Sequence, residues 1–84
     1  MQPTVKLYTL STCVACKATK NLLSKLEVAY EFTDVDLLKG AEQDAVVELV
    51  KAVNPLCAFP TLIIGDTVIV GFKEDEIRKA LGLS

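Results

Sequence analysis

The chemistry in this chain is concentrated in Cys13-Val14-Ala15-Cys16. Two thiols held two residues apart can cycle between dithiol and disulfide, or they can hold a metal. The segment before them, Thr4–Leu10, is rich in β-branched and aromatic residues and reads as a buried strand. The segment after them reads as a helix, so Cys13 falls at a helix N-terminus. Unpaired backbone N–H groups and the positive end of the helix dipole gather there and favour an ionised sulfur. Lys17, one turn on, adds a cation. Cys13 is therefore the expected nucleophile. Cys16, one turn deeper, is expected to be more buried and to resolve the mixed disulfide that Cys13 forms, leaving a Cys13–Cys16 disulfide. Such a small loop contributes little by loop-closure entropy, which suits a bond that must form and break.

Other chemistries are excluded by what the chain lacks. It has no His, so imidazole bases, Ser-His-Asp triads and most catalytic zinc sites are ruled out. Three Cys without His fall short of the four N or S ligands that zinc normally takes, so no metal site is expected. A third thiol, Cys57, stands on a loop and reads best as a small apolar side chain, with a second redox-sensitive thiol or a metal ligand as the other options. An odd number of cysteines also argues against a disulfide-stapled secreted scaffold. The net charge of −2 offers no basic excess to neutralise phosphates, so no nucleic-acid partner is expected. No apolar run is long enough to span a membrane, and no leader-like segment is read at the N-terminus. The expected compartment is the cytoplasm, with the chain acting as a monomer.

The positioning elements follow from periodicity. A chain of 84 residues allows one domain, here 1–84. Its 51% hydrophobic and 24% charged residues exclude disorder. After the strand at Thr4–Leu10, Ser11–Thr12 suits a turn and the cap of the next helix. From Cys13 to about Glu27, Ala15, Ala18, Leu22, Leu23 and Leu26 recur at helical spacing, with Lys17, Lys20, Asn21 and Lys25 on much of the other side. Tyr30–Val35 reads as a second strand and Leu37–Gly40 as a connection. Ala41–Val53 is a helix stopped by Asn54–Pro55. Pro60–Ile64 and Thr67–Val70 form a hairpin about the turn Gly65–Asp66. Gly71–Phe72 breaks the strand, and Lys73–Leu81 is a last helix whose acidic start, Glu74, Asp75 and Glu76, suits the dipole. The order β-α-β-α-β-β-α predicts an α/β domain with a four-stranded mixed sheet and helices on both faces, which is the thioredoxin-like arrangement.

Three segments carry a family resemblance. The run Tyr8-Thr9-Leu10-Ser11-Thr12-Cys13-Val14-Ala15-Cys16-Lys17-Ala18-Thr19-Lys20 resembles the active-site segment of glutaredoxins, and is closer to the YTxxxCxxCxATK of NrdH-type redoxins. Phe59-Pro60-Thr61 is similar to the family's cis-proline segment, and Gly71-Phe72-Lys73 to its GF(R/K)PD stretch. Departures are Glu74 where that stretch has Pro, a longer middle helix, and the additional Cys57.

The resemblance implies a thiol-disulfide oxidoreductase that reduces protein or mixed disulfides, with no tightly bound cofactor. It implies a cis bond between Phe59 and Pro60, and a contact surface formed by Phe59, Pro60, Gly71 and Phe72. Tyr8 matches a family aromatic near the active site and is expected to line the substrate groove, or else to be a strand side chain with an exposed hydroxyl. Glutathione-using members have a TVP loop and a GG(S/C)D segment, where this chain has Ala58-Phe59-Pro60 and Gly71-Phe72-Lys73-Glu74-Asp75. Ala58 and Phe72 should weaken a glutathione cleft, although Glu74 or Asp75 could still hold the glutathione amine. Members of the NrdH type take electrons from thioredoxin reductase and pass them to a ribonucleotide reductase. The expected reductant is thus thioredoxin reductase or glutathione, and the expected partners are disulfide-containing proteins, a ribonucleotide reductase among them. The alternative on the same fold is an iron–sulfur or metal carrier that borrows glutathione across a dimer.

Overall fold

A computed structural model describes residues 4–83. The strands are β1 (Val5–Thr9), β2 (Glu31–Asp34), β3 (Thr61–Ile64) and β4 (Thr67–Val70), and the helices are α1 (Val14–Lys25), α2 (Gly40–Val53) and α3 (Glu74–Ala80). The sheet order is β2-β1-β3-β4. β1 pairs parallel to β2 and antiparallel to β3, and β3 pairs antiparallel to β4. This is the α/β architecture expected, with a mixed sheet and helices on both faces.

Burial explains the layers. Val5 and Leu7 of β1, Leu62 and Ile64 of β3 and Ile69 of β4 pack with Leu22 and Leu23 of α1 and Ile77 of α3. On the opposite face Tyr8 packs with Val35 and with Val50 of α2. β1 is thus covered from both sides, and only Lys6 of its five residues is exposed.

The registers bring several loops to one end of the sheet. Thr9 pairs with Asp34 at the end of β2, Tyr8 with Thr61 at the start of β3, and Thr61 with Val70 at the end of β4. The β1–α1 turn, the segment after β2, the loop before β3 and the exit from β4 therefore share that end.

Four local readings are corrected. Ser11–Thr12 forms the turn, with the Cys13 N–H donating to the Leu10 carbonyl at 3.1 Å, but it does not cap α1. Cys13 is the cap itself. The second strand stops at Asp34, because Val35–Leu37 folds into a single 3-10 turn that buries Val35. α1 ends at Lys25 instead of near Glu27. The N–H groups of Glu27 and Val28 turn back to the carbonyls of Ser24 and Leu23, and Glu27 takes a positive φ of 57°. α3 is a residue shorter at each end than expected.

Candidate active site

Cys13 ends the β1–α1 turn with extended backbone, φ −84° and ψ 121°, and its sulfur accepts a hydrogen bond from the Cys16 backbone N–H at 3.1 Å. The sulfur thus does for α1 what a Ser or Asp oxygen does at other helix starts. No acidic residue stands in the first turn of α1, whereas α3 carries Glu74, Asp75 and Glu76 there. The positive end of α1 is left for the thiol instead of being offset by a carboxylate.

The two sulfurs occupy different environments, and both are free thiols. Cys13 is half-buried and Cys16 is fully buried. Burial, then its hydrogen bond and charge coupling with Cys13, push the Cys16 thiol up to about 11, while a hydrogen bond with the Leu10 backbone and, less strongly, the charge of Lys20 draw it the other way. Cys13 thus stands at the surface, and Cys16 behind it is held protonated.

A charged cluster lies behind the pair. Lys20 Nζ is 3.0 Å from Asp34 Oδ1 and 4.1 Å from the centre of the Phe32 ring. The buried Thr9 hydroxyl donates to Asp34 Oδ1 and to the Thr33 carbonyl. The Thr9 hydrogen bond, followed by Lys20, holds the Asp34 carboxyl below its ordinary range. Next to it, Asp36 accepts from both the Ser11 hydroxyl and its backbone N–H, which tethers the β1–α1 turn to the end of β2 and lowers the Asp36 carboxyl.

The loop before β3 reaches the same end of the sheet. The Phe59–Pro60 bond is cis, as the resemblance implied. Pro60 is buried and Phe59 half-buried. The Gly71 N–H donates to the Pro60 carbonyl at 2.9 Å, with Gly71 at a φ of +89° that a side chain would strain. That bond joins the proline loop to the exit from β4 and sets Phe72, 41% exposed, beside it. Val14 and Leu56 add exposed apolar side chains at this end, at 81% and 88%.

The structure therefore brings Cys13, Cys16, Phe59, Pro60, Gly71 and Phe72 to one end of the sheet. Lys17 is exposed on α1. Tyr8 packs into the core on the α2 face and is only 8% exposed. Glu74 is engaged by Arg78 at 2.9 Å. Asp75 lines a cavity of about 490 Å³ with Arg78, Lys79, Gly82 and Leu83, which neither cysteine lines. Among the described residues no three His, Cys, Asp or Glu side chains converge as a metal-binding group. Nor does any described helix have the length and apolarity to cross a membrane.

Residues 5–69 match the family model for glutaredoxin. The chain belongs to the glutaredoxin family. It is a glutaredoxin-like redox protein with its two family cysteines at Cys13 and Cys16. The crystal structure of methanoredoxin from Methanosarcina acetivorans is 47% identical, with a TM-score of 0.93 over 98% of this chain and 87% of that one. A glutaredoxin from Methanosarcina mazei Go1 is 51% identical, with a TM-score of 0.89 over 96% of this chain and 80% of that one. The NrdH-redoxin from Escherichia coli, described as glutaredoxin-like with a thioredoxin-like activity profile, is 28% identical, with a TM-score of 0.69 over 90% and 92%. These likenesses place the fold in the thioredoxin superfamily.

Sequence reasoning missed Lys20 and Asp34. Lys20 read as one of several polar residues on the outer side of α1, and Asp34 as the less apolar member of a strand. The available signal was that Lys20 follows Cys16 by four residues, which places both on neighbouring parts of one helix surface.

Proposed function

We propose that the protein reduces protein or mixed disulfides by thiol–disulfide exchange. The observation that carries this reading is the asymmetry of the pair, with Cys13 half-buried at the helix start and Cys16 fully buried behind it, where burial pushes its thiol up. The Cys13 thiolate attacks one sulfur of the substrate disulfide, and the other leaves as a thiolate. Two of the influences that hold Cys16 protonated come from Cys13 itself, through a hydrogen bond and its charge. Once Cys13 is tied up in a mixed disulfide, its negative charge is gone and that restraint is lifted. Cys16 then gives up its proton and attacks Cys13. The second substrate thiolate departs and the Cys13–Cys16 disulfide remains. Two electrons have passed to the substrate, and an external reductant must return them.

Features around the site favour a protein surface over a glutathione cleft. Phe72 stands where a small residue would open such a cleft, and the Glu74 carboxylate is already engaged by Arg78. The apolar side chains of Val14, Leu56 and Phe72 offer contact to a protein substrate. The likeness of the Tyr8–Lys20 run to NrdH-type redoxins favours thioredoxin reductase as the donor over glutathione. A ribonucleotide reductase is one such substrate to test.

The test is NADPH consumption during insulin reduction, with purified thioredoxin reductase set against glutathione plus glutathione reductase. Turnover with the first and little with the second is expected. Turnover with glutathione alone overturns the donor assignment, and turnover with neither overturns the reductase reading.

A further inference from the structure

Lys20 is set behind the cysteine pair by contacts that leave its head group little freedom. It follows Cys16 by one helical turn, on the side of α1 that faces the end of β2. Its ammonium is fixed from two directions, by Asp34 Oδ1 at 3.0 Å and by the Phe32 ring at 4.1 Å. Asp34 is in turn fixed by the buried Thr9 hydroxyl. The Lys20 side chain is 22% exposed and that of Asp34 15%, so solvent screens the group less than it would a surface pair. Cys16 is fully buried. Its proton must nevertheless leave for the second half of the exchange to proceed.

We propose that Lys20 is a positioning residue for that second half: clamped by Asp34 and Phe32, it keeps a positive charge near the buried Cys16 and favours the thiolate that attacks the mixed disulfide. This rests on the exchange reading above and adds a role that reading does not contain. The titratable and charged groups around this corner are Cys13 and Lys20 on α1, Asp34 at the end of β2, and Asp36 in the turn after it. Of the charges that act on Cys16, Cys13 opposes ionisation and Lys20 favours it. Cys13 withdraws its opposition on entering the mixed disulfide, so of these two charges only that of Lys20 persists through the resolving step, beside the Leu10 backbone, whose hydrogen bond also favours the thiolate.

The size of the effect follows from two opposing trends. A fixed ammonium close to a shielded thiol changes its thiolate fraction by on the order of tenfold. A thiol that ionises less readily is also a better nucleophile once ionised, which returns about threefold. The net change in rate is about threefold.

Dithiodipyridine, a neutral disulfide, separates the two halves in a stopped-flow experiment, because its encounter rate does not depend on a lysine. The Cys13 thiolate releases one thiopyridone and forms a mixed disulfide. Cys16 then releases the second, its proton balancing the departing thiolate, and the internal disulfide closes. A Cys57→Ala background removes the third thiol. In Lys20→Gln the ratio of second-phase to first-phase rate should fall about threefold near neutral pH, and the alkaline rise of the second phase should move to higher pH. Lys20→Arg should restore the ratio, which a purely structural role for a lysine would not require. An unchanged ratio and pH limb in folded Lys20→Gln, or an arginine variant as slow as the glutamine one, overturns the proposal. If Lys20→Gln fails to fold around a stranded Asp34, the double variant with Asp34→Asn carries no stranded carboxylate. A lower ratio there supports the proposal and an unchanged one overturns it. Wild-type protein that gives no second release at all contradicts the exchange reading instead.

Discussion

At the α1 corner, Cys13 caps a helix and Cys16 lies buried before a cluster of Lys20, Asp34, Thr9 and Asp36 that carries full charges. At the corner between α2 and β3, Cys57 sits among apolar neighbours of the Tyr8 and Val50 cluster, and the nearby polar network is neutral. There the buried Asn54 amide donates to the Ala58 carbonyl at 3.1 Å and to the Thr61 hydroxyl at 3.2 Å. Thr61 donates back to the same Ala58 carbonyl at 2.6 Å. Both networks fix a loop at one end of the sheet. Only the first contains groups whose charge changes with pH or with redox state. A neutral network holds shape; a charged one can also set how readily a nearby sulfur ionises.

The largest expected effect comes from altering the sulfurs themselves. Cys13→Ser should bring insulin reduction down to the uncatalysed rate, and Cys16→Ser should accumulate a covalent Cys13 adduct visible by mass spectrometry. Reduction that persists in Cys13→Ser would erase the difference between the corners.

Removing the neutral network tests shape alone. Asn54→Ala removes the donor to the buried Thr61 hydroxyl and one of the two donors to the Ala58 carbonyl, and should cost about 1–3 kcal/mol in urea unfolding. Since the hydrogen-bonded groups of Asn54, Ala58 and Thr61 carry no charge, the loss should be nearly the same at acid and neutral pH. A loss that varies strongly with pH would show that this corner is charged after all.

The α1 corner should answer to pH at both extremes. The Asp34 carboxyl ionises in the folded chain below its ordinary value of 3.8, held there by Thr9 and Lys20. The unfolded state then binds more protons, so this contribution is complete above that value and is lost as pH falls below it through the lower folded value. Cys16 moves the opposite way, from 9.0 to about 11. The folded state keeps the proton longer, so stability declines as pH rises between those values. Acid melts of Asp34→Asn and alkaline melts of reduced Cys16→Ser should each be flatter than wild type. Parallel curves would contradict the assignment.

The smallest effect is expected at Cys57. It takes a positive φ of 50° and packs as an apolar side chain, so Cys57→Ala should change stability by about 1 kcal/mol or less and leave insulin reduction unchanged. A large loss of reduction would give this thiol a part in the chemistry.

How much was legible in the sequence follows from the range of each interaction. The order of elements, the β3–β4 hairpin and the acidic start of α3 rest on local periodicity and turn chemistry, and they match the structure closely. The exposure difference between Cys13 and Cys16 was readable from helix geometry alone. Lys20 with Asp34 was not, because the pair spans 14 residues and joins a helix to a strand whose register no local pattern reveals. Asn54 read as a helix stop before Pro55, which it is, but its buried amide bonds depend on where β3 returns. The sulfur cap escaped notice because Ser11 and Thr12 are better-known capping residues, and the tether from Asp36 holds Ser11 elsewhere.

The division of labour between the two sulfurs is tested most directly by residue-resolved alkylation of the reduced protein across pH, followed by mass spectrometry. Cys13 should be labelled first at neutral pH, with Cys16 protected until the medium approaches the range near 11 where it ionises. Equal labelling of the two, or faster labelling of Cys16, would contradict the account.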